Sequence, residues 1–318
     1  MFKIGSLKLK SNLILAPMAG VTDLPFRMLC RKFGAELAFV EMINCRSISH
    51  KSRKTKNMLS TAAKDKPLGV QILGCEEKYI LKALDVLNAY KFDILDFNAA
   101  CPAKKVVRRG EGSALLKDPK KLAKLLKLLV KNSKIPVSVK IRLGWDKDSI
   151  NAEKVALYAQ DAGVSGLFIH GRTRIQEYGG NVDYAAIAKV KQAVNIPVIA
   201  SGDVFSAQLA RKMLTETNCD GLVIARGSFG NPWIFKEIKE FLKTGKILPK
   251  PARSKIVQVM LEHLDASIAF YAERNGVILF RKFFAWYTKG IRNIRPLREK
   301  CSRAKTRLEM ETMINLLS

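Results

Sequence analysis

The chain has 318 residues, 48% of them hydrophobic, which is enough to bury one large domain and a smaller one and argues against disorder. Its 56 Lys and Arg residues against 28 Asp and Glu give a formal net charge of +28. We therefore expect a polyanionic partner, nucleic acid or an anionic membrane, unless lysine simply covers every surface of the protein.

Cysteine usage and terminal sequence narrow the class further. The six cysteines form no C-x-x-C pair and do not cluster with the three histidines, so neither a zinc site nor a disulfide framework is predicted. Residues 1–10 alternate charged and apolar side chains, unlike a signal peptide, and no apolar run reaches about 18 residues. We expect a cytoplasmic monomer that binds no metal and no membrane.

Short apolar or β-branched runs recur along the first 230 residues or so, and most are separated by stretches of helical periodicity such as 118–131 and 151–162. Strands that alternate with helices pair in parallel, and eight such units match a (β/α)8 TIM barrel. An open doubly wound sheet is the alternative, but the Gly-rich fingerprint that often follows its first strand is missing. The eight predicted strands are residues 13–16, 37–40, 68–72, 94–97, 137–141, 166–169, 197–200 and 221–224.

The pattern changes after the barrel. We predict a catalytic α/β barrel over residues 1–243, a linker over 244–251 that contains Gly and Pro, and a small all-α domain over 252–318. Residues 281–307 hold ten Lys or Arg side chains and one acid, Glu299. Pro296 interrupts any continuous helix there.

In a barrel the active site lies at the carboxyl ends of the strands. Gly202 and Gly227 follow the last two strands and would let the backbone approach a phosphate, with Arg226 supplying charge. A second group at the same end suits a heteroaromatic ring with carbonyl oxygens and ring nitrogens. Its members are Gln71, Asn98, Lys140 and His170. The alternatives are an ion pair of Lys140 with Asp96 or Glu41 and a structural hydrogen bond for His170.

Cys101 follows the fourth strand and precedes Lys104, Lys105, Arg108 and Arg109. Such a thiol can be a nucleophile or a proton donor, and basic neighbours favour the thiolate. The alternative is a half-buried cysteine that packs as a small hydrophobe.

Six segments together carry a family resemblance: APMAGVTD (16–23), QILG (71–74), NAACPAKKV (98–106), KIRLGW (140–145), IHGRTR (169–174) and RGSFGNPWIF (226–235). By these segments the chain resembles the bacterial tRNA-dihydrouridine synthases, and CPAKKV is closest to their B-type branch. The resemblance extends from about residue 4 into the C-terminal helices. It implies an FMN-binding barrel followed by a helical tRNA-binding domain, with NADPH or NADH as the reductant.

The same resemblance implies residue roles. Cys101 matches the catalytic acid, which would give a proton to C5 of the target uracil while hydride passes from N5 of FMN to C6. Because an acid must be protonated, we expect the cations after Cys101 to grip RNA rather than to activate the thiol. The cofactor-binding positions implied are Pro17, Met18, Ala19, Gln71, Lys140, His170, Ser201, Gly202, Asp203, Ala225 and Arg226. The substrate-binding positions expected are Asn98, Lys104, Lys105, Arg142, Arg172 and Arg174, with the basic segment 46–56 and the cluster 281–307 as further RNA contacts.

Three positions depart from the family pattern. Ala100 stands where Gly usually precedes the cysteine and would be strained if its φ were positive, whereas Ser201 and Ala225 replace a frequent Asn and Gly. Two other functions share part of the pattern. One is an FMN barrel that reduces a free pyrimidine or another small molecule, which leaves the basic tail unexplained, and the other is a non-catalytic RNA-binding protein on a barrel scaffold.

Overall fold

A closed barrel of eight parallel strands forms the body of the protein. The computed structural model describes residues 1–50 and 53–317. The barrel closes where Ala38 pairs with Leu68, and each strand is in register with its neighbour, as Ser201 is with His170. All eight predicted strands are confirmed. The strands of the barrel are β3 (Leu13–Leu15), β4 (Leu37–Phe39), β6 (Leu68–Leu73), β7 (Ile94–Asn98), β8 (Val137–Arg142), β9 (Gly166–His170), β10 (Val198–Ser201) and β11 (Gly221–Ile224).

Three further strands were not predicted. The antiparallel hairpin of β1 (Phe2–Ile4) and β2 (Leu7–Leu9) turns at Gly5, and Ile4 and Leu9 pack with the side chains that fill the barrel interior, such as Phe39. The hairpin therefore supplies apolar side chains to the barrel's interior core. The short strand β5 (Ile43–Asn44) pairs with the carboxyl-terminal part of β6.

Helices surround the barrel because each connection carries an apolar stripe toward the strands. The predicted helix over 118–131 is observed as Pro119–Asn132, capped by the Asp118 carboxylate, which accepts from the Lys121 backbone N–H. Short 3-10 helices cover Gly112–Lys117 and Arg226–Ser228. The helices are α1 (Leu24–Lys32), α2 (Cys45–Ser49), α3 (Arg53–Met58), α4 (Glu77–Leu87), α5 (Lys104–Val107), α6 (Pro119–Asn132), α7 (Ala152–Asp161), α8 (Tyr184–Ala193), α9 (Ala207–Thr217) and α10 (Ile234–Thr244).

Four helices follow the barrel. They are α11 (Arg253–Tyr271), α12 (Glu273–Tyr287), α13 (Arg295–Cys301) and α14 (Arg307–Asn315). They pack on α1, where the Phe26 ring lies 5.3 Å from that of Phe283 and 5.7 Å from that of His263. Their buried side chains join the same apolar core as the barrel helices. Among the described residues no helix is long and apolar enough to cross a membrane.

Candidate active site

A cavity of about 450 Å³ opens at the carboxyl end of the barrel. This size lies within the range of small-molecule and cofactor sites. The structure brings together on its wall most of the residues predicted from the sequence: Pro17, Met18, Ala19, Asn98, Cys101, Lys140, Arg142, His170, Ser201, Gly202, Asp203, Ala225 and Arg226. The five others, Gln71, Lys104, Lys105, Arg172 and Arg174, lie outside the wall.

The loop that carries Cys101 is held by hydrogen bonds to both the N–H and the carbonyl group of its backbone. The Asn98 side-chain oxygen accepts from the backbone N–H groups of Ala100 at 3.0 Å and Cys101 at 2.8 Å. Ser113 donates to the Cys101 carbonyl from its backbone N–H at 3.1 Å and from its hydroxyl at 2.9 Å. Gly112 permits this approach, because its φ is +60° and an added Cβ would lie 2.8 Å from the Cys101 carbonyl oxygen. Ala100 does not have a positive φ, so alanine is unstrained there.

The Cys101 thiol is half-buried on the cavity wall. Burial raises its pKa above the ordinary value, while a backbone hydrogen bond from Ala103 and the guanidinium groups of Arg142 and Arg109 oppose the shift. The thiol is therefore protonated at neutral pH. This state suits a proton donor and disfavours a thiolate nucleophile.

A buried polar chain lies beside the cavity. The Gln71 side-chain N–H group donates to Asp96 at 2.7 Å, and its oxygen accepts from Asn98 at 2.8 Å. Gln71 is fully buried and thus orients Asn98 rather than facing the cavity. Burial raises the pKa of Asp96 to about 6, against hydrogen bonds from Gln71 and Ser138 and the charge of Lys140.

Lys140 presents a cation to this cavity from strand β8. Burial lowers the pKa of its amine to about 8, with Asp96 opposing and Arg142 adding to the shift. Its amine lies 3.5 Å from the Ser201 hydroxyl. Within the described chain it has no carboxylate within ion-pair distance, so neither ion pair considered from the sequence, with Asp96 or with Glu41, is formed. The amine is free to receive an anionic ligand group.

The turns after β10 and β11 meet through Asp203. Its carboxylate accepts from Arg226 at 2.7 Å and from Arg172 on its other oxygen. These two guanidinium groups hold the pKa of Asp203 below its usual range, with the Arg172 hydrogen bond as the largest cause. Gly227 cannot be replaced without moving the backbone, because a Cβ there would lie 1.9 Å from the Val204 carbonyl oxygen.

Arg172 differs from its expected role as an RNA contact. It is only 1% exposed, and it donates to the carbonyls of Gly179 and Gly180 as well as to Asp203. Buried there, it has no access to an RNA backbone and instead fixes the loop after β9.

Burial and the cations around His170 lower the pKa of that imidazole to about 2, so it is neutral at the cavity wall.

Arg142 joins the Cys101 loop to the loop after β9. Its guanidinium donates to the carbonyls of Ala100 at 2.8 Å, Thr173 at 2.9 Å and Glu177 at 2.8 Å. It is buried yet lines the cavity. The Tyr178 ring lies over Arg226, with 4.5 Å between guanidinium carbon and ring centroid.

The cations predicted to contact RNA differ in exposure, and Arg174 is only half-exposed. Lys104 and Lys105 are exposed on α5, directly after the Cys101 loop. Arg174 lies 4.8 Å from the Trp145 ring centroid, and the Lys117 amine lies 3.6 Å from it. In the basic segment 46–56, Arg46 pairs with Glu76, and residues 51 and 52 lie outside the described part of the chain.

Comparison with known proteins agrees with this geometry. A model of the family described as dihydrouridine synthase (Dus) matches residues 14–317. The chain belongs to the dihydrouridine synthase family. The resemblance stated from the sequence is thereby confirmed, and the chain is placed among the oxidoreductases that form dihydrouridine.

Several curated relatives of this Dus chain are similar over most of their length. It is 41% identical over 304 residues to tRNA-dihydrouridine synthase B of Xanthomonas axonopodis pv. citri, covering 96% of this chain and 92% of that protein. It is 42% identical over 301 residues to tRNA-dihydrouridine synthase B of Pseudomonas aeruginosa, covering 95% and 91%. A probable tRNA-dihydrouridine synthase of Rickettsia bellii is 42% identical over 294 residues, covering 92% and 90%.

Solved structures confirm the barrel fold of this Dus chain. Morphinone reductase superposes with a TM-score of 0.55 at 14% identity, covering 80% of this chain and 91% of that one. Histamine dehydrogenase from Rhizobium sp. 4-9 gives a TM-score of 0.58 at 10% identity, covering 83% and 50%.

The sequence pattern missed several side chains on the cavity wall of this Dus protein, among them Met42, Tyr178, Phe205 and Phe229. Three of them lie just beyond the ends of β4, β10 and β11, so the strand-end rule that found the polar residues could have found them. Tyr178 lies in the long loop after β9, and no local pattern there predicts which way its side chain points.

Proposed function

We propose that this chain is a B-type tRNA-dihydrouridine synthase that binds FMN in the barrel cavity and reduces specific uridines of tRNA at the expense of NADPH or NADH. The observation that carries the proposal is the placement of the protonated Cys101 thiol on the same cavity wall as the Lys140 amine and the Gly202 and Arg226 turns. A proton donor and an anion site thus share one cavity.

The donor set of the cavity suits a phosphorylated flavin. Lys140 and Arg226 bring cations to the wall, where Asp203 is the one acid among the lining residues. The glycine turns at 202 and 227 bring backbone close to the position predicted for the phosphate. Pro17, Met18 and Ala19 would flank the ring. Bound FMN would supply the hydride.

Lys140 would hold the electron-rich edge of the ring, where negative charge gathers on reduction. Its amine has no carboxylate partner among the described residues, and burial already destabilises the free cation. An anionic ligand group would stabilise the charged amine and raise its pKa. The neutral His170 imidazole can then donate or accept a hydrogen bond without adding a further charge.

Cys101 would donate its proton to C5 of the uracil as hydride reaches C6. Asn98 and Ser113 fix its backbone, and Arg142 holds the preceding carbonyl, so the thiol position is set before substrate arrives. Such preorganisation is the usual source of catalytic efficiency in proton transfer. The base must leave its stack to reach the barrel, at a cost of a few kcal/mol.

Contacts to the RNA backbone would offset the cost of unstacking. Lys104 and Lys105 are exposed beside the Cys101 loop, and Arg174 lies beside Trp145 at the same end of the barrel. Together with the basic cluster 281–307 they would attract the phosphate groups of tRNA.

The test is product formation with matched substrates. The purified protein, reconstituted with FMN and supplied with NADPH, is incubated with unmodified tRNA, free uridine and free uracil. We expect tRNA nucleosides to gain two hydrogen atoms and the free compounds to remain unchanged. Reduction of the free compounds at a comparable rate would favour the small-molecule reductase, and a protein that binds tRNA but no flavin would favour the non-catalytic RNA-binding alternative.

A further inference from the structure

A charged cluster with two buried carboxylates connects the C-terminal helices to one wall of the cavity. It consists of Asp23, Glu41, Tyr271 and Lys282, and none of these residues lines the cavity. Asp23 and Glu41 come from the barrel and are 6% and 8% exposed, whereas Tyr271 and Lys282 come from α11 and from α12. The reaction proposed above uses none of the four.

The cluster fastens the turn that follows strand β3. The Gly20 backbone N–H donates to the Glu41 carboxylate, and its carbonyl accepts from the Lys282 amine. Gly20 has φ of +72°, and the turn is further closed by the Met18 N–H, which donates to the Thr22 hydroxyl at 2.9 Å. The backbone N–H and C=O groups of Gly20 are therefore both held by charged side chains, the buried Glu41 carboxylate and the half-buried Lys282 amine.

The same turn bears Pro17, Met18 and Ala19 on the cavity wall. Lys282 lies behind this turn, and its positive charge interacts with the negative charges of Asp23 and Glu41. Without that cation the two buried carboxylates would repel each other uncompensated. The Tyr271 hydroxyl lies against the Asp23 carboxylate and completes the contact from α11.

We propose that Lys282 is a positioning residue by which the C-terminal helices hold the turn 17–22 in the conformation that receives the flavin ring. The proposal rests on the proposed function, because it needs a flavin in the cavity. It assigns Lys282 a role different from that of the other cations in the segment 281–307, which were expected to contact RNA.

The chain offers a matched control. Lys32 of α1 pairs with Glu262 of α11 at 2.6 Å, and both side chains are exposed, at 49% and 43%. This ion pair also joins the barrel to the C-terminal helices, but it does not contact the turn. Lys282→Gln and Lys32→Gln therefore remove one link each, and only the first of these links contacts the turn that bears Pro17, Met18 and Ala19.

The primary measurement is the FMN dissociation constant of the apoprotein, read from quenching of flavin fluorescence. We expect Lys282→Gln to weaken FMN about tenfold, a coupling of ordinary size between linked sites, and to shift the visible absorption bands of the bound flavin. Lys32→Gln should bind FMN as the unaltered protein does. Lys282→Arg, which keeps the charge, should recover much of the affinity, and Gly20→Ala, strained at positive φ, should reproduce the loss from the side of the turn.

Kinetics separate this role from RNA binding. With FMN saturating, we expect Lys282→Gln to slow flavin reduction and to leave KM for tRNA unchanged. A raised KM for tRNA with unaltered FMN affinity would overturn the proposal and make Lys282 a phosphate contact. Equal FMN affinity in both Gln variants would also overturn it. If the unaltered protein binds no flavin, the proposed function itself fails, which is a distinct result.

Discussion

The energetic cost of keeping Lys140 charged gives a test that does not depend on turnover. Burial lowers the pKa of its amine from 10.5 to about 8, which corresponds to at most about 3.5 kcal/mol at about 1.4 kcal/mol per tenfold change in proton affinity. The true cost is smaller, because the amine still faces the cavity. Lys140→Met removes it, so we expect the apoprotein of this variant to be more stable than the unaltered apoprotein at pH 7, by about 1–3 kcal/mol.

The sign of the pH dependence follows from the direction of that shift. The folded-state pKa lies below the unfolded one, so the unaltered protein carries the full cost below pH 8 and loses it as pH rises toward 10.5. The stability difference between Lys140→Met and the unaltered apoprotein should therefore be largest near pH 7 and shrink as the pH is raised through that range.

Urea denaturation of both apoproteins at several pH values measures this difference. Lys131→Met, on the exposed face of α6, is the matched control and should change stability little at any pH. The same Lys140→Met protein should bind FMN much more weakly, because it lacks the cation expected beside the ring. A variant that is less stable at pH 7, or that retains flavin fully, would refute the reasoning.

Three other substitutions test separate parts of the site. Cys101→Ala should give a yellow, folded protein that still oxidises NADPH but forms little dihydrouridine, as nucleoside mass spectrometry would show; full product formation would remove Cys101 from the mechanism. Lys104→Ala combined with Lys105→Ala should lower the slope of log tRNA affinity against log salt by about 1 to 2; an unchanged slope in filter binding would show that neither contacts phosphate. Ala100→Gly should leave activity intact and cost about 0.4–1 kcal/mol through the freer unfolded chain; a gain of stability on denaturation would contradict the unstrained backbone found there.

The eight barrel strands were predictable because each is a short apolar run, and most of these runs are followed by a stretch of sequence with helical periodicity. The hairpin at the N-terminus was not, since Phe2–Ile4 and Leu7–Leu9 are three residues long and alternate with lysines as a surface segment would. Only the packing of Ile4 and Leu9 with the barrel's interior core shows why they are strands.

The part of the site that follows the carboxyl ends of the barrel strands was predictable, because those ends lie together. That rule located Cys101, Lys140 and the two glycine turns, because parallel strands bring all their carboxyl ends to one mouth. It could not separate residues that face the cavity from those that lie beneath it. Gln71 and Arg172 follow the same pattern, yet both are buried and hold Asn98 and Asp203 in place.

Contacts between distant segments were beyond the sequence. Ser113 reaches Cys101 across twelve residues, and Lys282 reaches Gly20 across most of the chain. Nothing in the local pattern around Lys282 distinguishes it from the other nine cations of its segment, and only the packing of α12 against the barrel does so.

Mapping dihydrouridine in the tRNA of living cells shows whether this chain makes that nucleoside. Transfer RNA is compared from cells that lack the chain, from the same cells complemented with it, and from cells complemented with Cys101→Ala. We predict that dihydrouridine disappears from particular positions without the chain, returns with the unaltered protein and stays absent with the variant. Unchanged dihydrouridine at every position in the cells that lack the chain would contradict the account.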